Sequence, residues 1–145
     1  WEIFITLTTG ACLYIVSEEI LPAAIAGGDF IHRHGISVLH ATPTQCQFIF
    51  NTSTVLTALK YLFIGAEKLT YDLVERSFAA VGSDCRVFNM YGPTEATIIS
   101  AVLEIDPLAL PYYKELSGVP IGKTVGNTKL RILDWGLKLC PLDII

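Results

Sequence analysis

Three short runs of β-branched and aromatic residues, at 36–41, 61–64 and 86–88, are separated by stretches whose apolar positions recur at helical spacing. Few folds accommodate that alternation, because a strand, a covering helix and a second strand build a parallel sheet. Leu73, Val74, Phe78 and Val81 mark one face of a helix over 71–81, with Thr70 placed to cap it. Pro43 suits the first position of a helix through 44–50, and 51–54 is a loop or a cap ahead of 55–59. An earlier apolar run, 11–16, reads as another buried strand. Pro22 then opens a helix to His34, weakened by Gly27 and Gly28 and stopped by Gly35. An apolar fraction of 52% against 17% charged residues fits a sheet buried on both faces. Loops that follow parallel strands gather on one edge, so His40, Gly65 and Asn89 are expected to line one crevice.

Beyond Glu95 the pattern changes. Residues 96–105 form a continuous run rich in Ile, Thr and Val that reads as a strand, and 106–112 reads as an irregular loop. Residues 129–133 alternate as a strand into a turn at Asp134-Trp135-Gly136. The expected class is α/β: a mostly parallel sheet with covering helices, followed by a short β-rich segment.

At 145 residues the chain is about one domain's worth. It starts at Trp1 without Met and stops in an apolar run, so it reads as an excerpt truncated at both ends. No apolar run is long enough for a membrane span and no basic leader precedes one, which makes the cytoplasm the default location. A net charge of −4 with scattered Lys and Arg argues against a nucleic-acid partner. The cysteines, at 12, 46, 85 and 140, form no Cys-x-x-Cys pair and are expected to be mostly buried, reduced thiols.

Several motifs fail on inspection. Gly122-Lys123-Thr124 has the ending of a phosphate loop, but Ser117 stands where its first glycine belongs, and the residues after it are strand-like. His32 and His34 are two apart and diverge on a helix, while His40 stands alone. No Gly-x-Ser-x-Gly elbow offers a nucleophile, and Gly27-Gly28 lacks the dinucleotide spacing.

Asn89-Met90-Tyr91-Gly92-Pro93-Thr94-Glu95 is different: it sets an amide, an aromatic ring, a hydroxyl and a carboxylate around a Gly-Pro turn at a strand end. Thr94 can donate to an anionic oxygen, Glu95 can face Mg²⁺, and Tyr91 offers a flat face to a base. On chemistry alone a solvated hairpin turn accounts for these residues equally well. The stretch resembles the Asn-x-Tyr-Gly-Pro-Thr-Glu motif of nonribosomal peptide synthetase adenylation domains, in the adenylate-forming superfamily. Supporting pieces follow in order: Trp1-Glu2-Ile3-Phe4 with Thr9-Gly10-Ala11, then Gly65-Ala66-Glu67, which is similar to a Gly-Gly-Glu turn with Ala66 departing from it. Val119-Pro120-Ile121-Gly122-Lys123 and Asn127-Thr128 complete the set.

The resemblance implies an excerpt of the large N-terminal subdomain of such an enzyme, activating an amino acid with ATP and Mg²⁺ and loading it onto phosphopantetheine. It implies a peptidyl carrier domain as partner and a condensation domain in the parent chain. By the same resemblance Tyr91 stacks on adenine, the backbone of Gly65, Ala66 and Glu67 covers its other face, and Asn89 bonds its amine. Thr94 contacts the α-phosphate and Glu95 binds Mg²⁺; these two are the catalytic candidates. Trp1, His40, Phe63, Gly65, Met90, Ile98 and Ile99 fall at positions of the amino-acid pocket. Their apolar character points to a small or medium neutral substrate, since a charged side chain would be left unpaired. The family's phosphate loop, its ammonium-binding Asp, its ribose-binding Asp and its C-terminal catalytic Lys have no counterpart here, so the piece alone is expected to be inactive. An acyl-CoA or aryl-acid ligase of the same superfamily and a non-catalytic α/β interaction module are the alternative readings.

Overall fold

β1 (Val38–Ala41), β2 (Tyr61–Gly65) and β3 (Arg86–Tyr91) run parallel, in that order. β4 (Ala101–Glu104) turns back antiparallel to β3, and β5 (Lys123–Thr124) pairs antiparallel with β4, giving a five-stranded mixed sheet ordered β1-β2-β3-β4-β5. The computed structural model describes residues 2–16, 28–51, 54–116 and 118–141. Its helices are α1 (Glu2–Thr9), α2 (Asp29–Arg33), α3 (Pro43–Ile49), α4 (Tyr71–Ala80) and α5 (Leu110–Glu115), with 3-10 turns at Thr94–Ala96 and Pro107–Ala109.

The sheet buries one face. Leu62, Ile64 and Val87 are fully buried there with Cys46 and Ile49 of α3 and Leu73 and Val74 of α4. Apolar area removed from water at these positions is the main stabilising term, roughly 25 cal/mol per Å². The opposite face stays partly open: Phe63 stacks on Phe88 at 4.9 Å between ring centroids, and the Arg86 guanidinium lies over Tyr61 and Phe88. Arg86 also forks onto Glu104 across the β3–β4 pair, at 2.7 and 2.6 Å.

Local chemistry explains why α3 starts where it does. Thr42 accepts from the Gln45 amide, the Gln45 side chain accepts from the Thr42 amide, and Pro43 occupies the first turn, which makes a complete capping box. Thr70 stands at the N-cap of α4, but its hydroxyl makes no capping bond.

Several expectations need correction. Residues 11–16 form no strand: Ile15 is 86% exposed, because a strand needs a paired neighbour and none lies beside this run among the described residues. Of the 22–34 helix, α2 covers only Asp29–Arg33, while 22–27 lies outside the described residues. Gly35 does end it, with φ at +59°. Of the two readings of 51–54, a cap is ruled out, since no helix follows at 55–59 and Leu56 instead bridges to Val81. The strand expected over 96–105 shrinks to β4, since Thr97 and Ile98 adopt left-handed backbone at φ 58° and 71°. Residues 106–112 are not a loop. Asp106 caps a 3-10 turn through the Leu108 amide, and α5 follows directly. Among the described residues, 129–133 pair only through a Leu133–Leu139 bridge, although the turn at 134–136 is present and held by Asp134 Oδ1. Cys46 and Cys85 are buried free thiols, but Cys12 is exposed and Cys140 only half-buried. Burial, aided by the nearby Glu67 charge, pushes the Cys46 thiol up to about 12.

Candidate functional site

Side chains alternate along a strand, and β3 uses that alternation to separate its motif residues. Asn89 and Tyr91 face one side of the sheet; Phe88 and Met90 face the other. The register sets Ile64 beside Asn89 and Gly65 beside Met90, while His40, Phe63 and Phe88 form one rung. His40, Phe63, Gly65 and Met90, assigned by resemblance to the amino-acid pocket, therefore share a single face at the strand tips. Phe88 belongs with them and escaped the sequence reading, although counting back two positions from Met90 would have found it.

Gly65 has a steric reason. A Cβ there would sit 2.9 Å from the Met90 carbonyl oxygen and 3.2 Å from the Met90 Cβ, so any side chain would wedge β2 from β3. Ala66 follows with φ at 72°, left-handed backbone that costs an L-residue about 1 kcal/mol relative to glycine. Ala66→Gly is therefore expected to raise stability by about 1 kcal/mol, read as a higher urea midpoint at unchanged slope.

Glu67 anchors this turn to α3. Its Oε2 accepts from the Thr44 hydroxyl at 2.7 Å and the Thr44 amide at 3.1 Å, and these bonds hold its carboxyl below the usual range. Neither Thr44 nor the tie itself was visible in the sequence, because 23 residues separate the partners.

Asn89 is only 5% exposed. Its Nδ2 donates to the Pro120 carbonyl at 2.8 Å and approaches the Val119 carbonyl at 3.4 Å. With the donor side committed, Oδ1 accepts no hydrogen bond among the described residues. Asn89 lines a cleft of about 470 Å³, together with Ala66, Lys68, Tyr91, Pro93 and Val119. That size and largely apolar lining suit a small molecule. The sequence marks Val119-Pro120-Ile121 as a motif but carries no sign that its carbonyls orient Asn89.

Past Pro93, Thr94 and Glu95 begin the 3-10 turn just beyond the cleft lining, and both are exposed. Ile98 and Ile99 pack by backbone against Gly92, which keeps them at the lip and leaves Ile98 53% exposed. Trp1 lies outside the described residues. Among the described residues no three His, Cys, Asp or Glu side chains stand together as a metal site, and no helix is long and apolar enough to cross a membrane. Gly122 has φ +83° and lies against the Val102 carbonyl, and β5 follows it, so no phosphate loop is formed here.

A family model described as AMP-binding enzyme matches residues 1–143. The chain belongs to the AMP-binding enzymes. Among relatives of this AMP-binding chain is the PKS-NRPS hybrid synthetase acdB of Aspergillus candidus, 34% identical over 98% of this chain and 5% of that protein. Among solved structures, the Vibrio cholerae adenylation domain AlmE, in complex with glycyl-adenosine-5'-phosphate, is 30% identical over 94% of this chain and 25% of that one, at a TM-score of 0.77. PA1221, an NRPS protein with adenylation and PCP domains, shares the fold at 22% identity and a TM-score of 0.67, over 82% of this chain and 23% of that one. The chain spans between 1% and 6% of the length of the curated relatives it matches.

Proposed function

We propose that this AMP-binding chain is the central part of an adenylation domain that activates an amino acid for nonribosomal peptide synthesis. The substrate carboxylate attacks the α-phosphorus of ATP, the bond to pyrophosphate breaks, and an aminoacyl adenylate results. A carrier-domain phosphopantetheine thiol then loses its proton, attacks the acyl carbon and expels AMP. The synthetase relatives and the adenylation–PCP neighbour support a peptidyl carrier domain as acceptor and a condensation domain as neighbour. ATP as substrate favours a cytoplasmic location.

One observation carries the reading. Buried Asn89 lines the cleft with an Oδ1 that accepts no hydrogen bond among the described residues, and adenine's exocyclic amine is the donor that satisfies it. An acceptor left unpaired in such a place costs about 1–3 kcal/mol. Tyr91, 43% exposed on the same face, supplies a stacking surface, and the backbone around Gly65, Ala66 and Glu67 supplies the opposite one. Thr94 donates its hydroxyl to an α-phosphate oxygen. Glu95 gives Mg²⁺ the single carboxylate such sites commonly take alongside substrate phosphates. When bound, Mg²⁺ offsets the negative charge that builds on the phosphorus oxygens. On the other sheet face, His40, Phe63 and Met90, with Ile98, Ile99 and Trp1, are assigned to a small neutral amino acid; AlmE's glycyl adenylate is of that class.

The test is amino-acid-dependent ATP–pyrophosphate exchange on the intact domain. A neutral amino acid is expected to be the best substrate; no amino-acid dependence, or Asp, Glu, Lys or Arg as the best, overturns the reading. Asn89→Ala is expected to raise the KM for ATP about tenfold while leaving the KM for the amino acid within about twofold. Equal rises in both would count against the adenine assignment.

A further inference from the structure

Glu2 opens α1 and His40 sits in β1, 38 positions later, yet Glu2 Oε1 lies 2.7 Å from His40 Nδ1. α1 buries none of its residues, so apolar packing does not account for bringing Glu2 here. Burial works against the carboxylate, but the hydrogen bonds it accepts, that from His40 foremost, together hold the Glu2 carboxyl below its usual range. A carboxylate at this distance keeps a proton on Nδ1 and fixes the imidazole's rotation. It also sets the local charge: the pair sums to zero with the ring protonated and to minus one with it neutral.

We propose that Glu2 is a positioning residue for the amino-acid pocket, orienting His40 and keeping that wall from carrying net positive charge, so that acidic side chains are rejected. The inference rests on the reading of His40 as a pocket residue. It adds a selectivity role to a residue outside the set assigned to the pocket wall.

Three variants of the intact domain test it in the exchange assay, with Asp and Glu measured against the best neutral amino acid. Glu2→Gln keeps an oxygen for Nδ1 and removes the charge; Glu2→Ala removes both. Both are expected to raise the acidic-to-neutral kcat/KM ratio on the order of fivefold, the scale of a partly exposed charge pair. Glu2→Ala is also expected to raise the KM for the neutral amino acid several-fold, with Glu2→Gln closer to the parent and the KM for ATP unchanged in both. If neither Glu2 variant moves the ratio, or both substrates' KM values rise together, the inference fails. His40→Ala separates the two layers. A shift with His40→Ala but none with the Glu2 variants overturns the role of Glu2 alone, whereas no shift with His40→Ala removes the pocket reading and the inference with it.

Discussion

Glu95→Gln lowers ATP–pyrophosphate exchange by about 100-fold at low Mg²⁺ and leaves the urea midpoint unchanged. The two halves of that expectation have separate grounds. Glu95 is exposed on a 3-10 turn and makes no hydrogen bond or ion pair among the described residues, so its charge contributes nothing measurable to folding. On the proposed reading its charge serves a cation beside the cleft, where carboxylate attack on phosphorus would build negative charge. Gln keeps the shape and removes the charge. Raising Mg²⁺ should recover part of the loss, because a weakened site fills by mass action. Exchange that stays at the parent level in low Mg²⁺ would contradict the assignment of Glu95 to the metal.

Gly92→Ala should destabilise the fold by about 3 kcal/mol or more. A Cβ at Gly92 would run into the Ile98 carbonyl oxygen and come within 2.7 Å of the Ile98 carbonyl carbon and the Ile99 Cα. All three are main-chain atoms, so no rotamer change relieves the clash. The opposing loop has little room to move: Thr97 and Ile98 already sit in left-handed backbone, the Ile99 amide bonds the Thr97 carbonyl at 2.8 Å, and the Ser100 amide bonds the Tyr91 carbonyl at 2.8 Å. Gly126→Ala is the control, since a Cβ there meets nothing within 4 Å; it should stay within about 0.5 kcal/mol. Urea denaturation of both variants reads the difference. Equal midpoints would show that the loop opposite Gly92 yields more easily than its hydrogen bonds imply.

The parallel half of the sheet was legible because its cues are local. Pro43 behind a capping Thr42, the helical spacing of Leu73 and Val74, and the three β-branched runs each speak within ten residues. What was lost depends on partners far along the chain. Residues 96–105 carry strong strand propensity, but packing on Gly92 forces Thr97 and Ile98 out of extended backbone. Residues 11–16 have a strand's composition with no strand beside them, among the described residues, to complete it. In the site, resemblance supplied the roles of Asn89 and Tyr91, but the two carbonyls that orient Asn89 lie 30 and 31 residues further on. No pattern within a short window reports such a pairing.

The alternation along β3 has a practical meaning for how such a chain can change. On the proposed reading neighbouring positions answer to different molecules, so exchanging Phe88 or Met90 would retune what is activated without touching the energy source, and the reverse would hold for Asn89 and Tyr91. Point substitutions can therefore be accepted one face at a time. An inserted or deleted residue cannot, because shifting the strand by one position would turn both sets of side chains to the wrong side together.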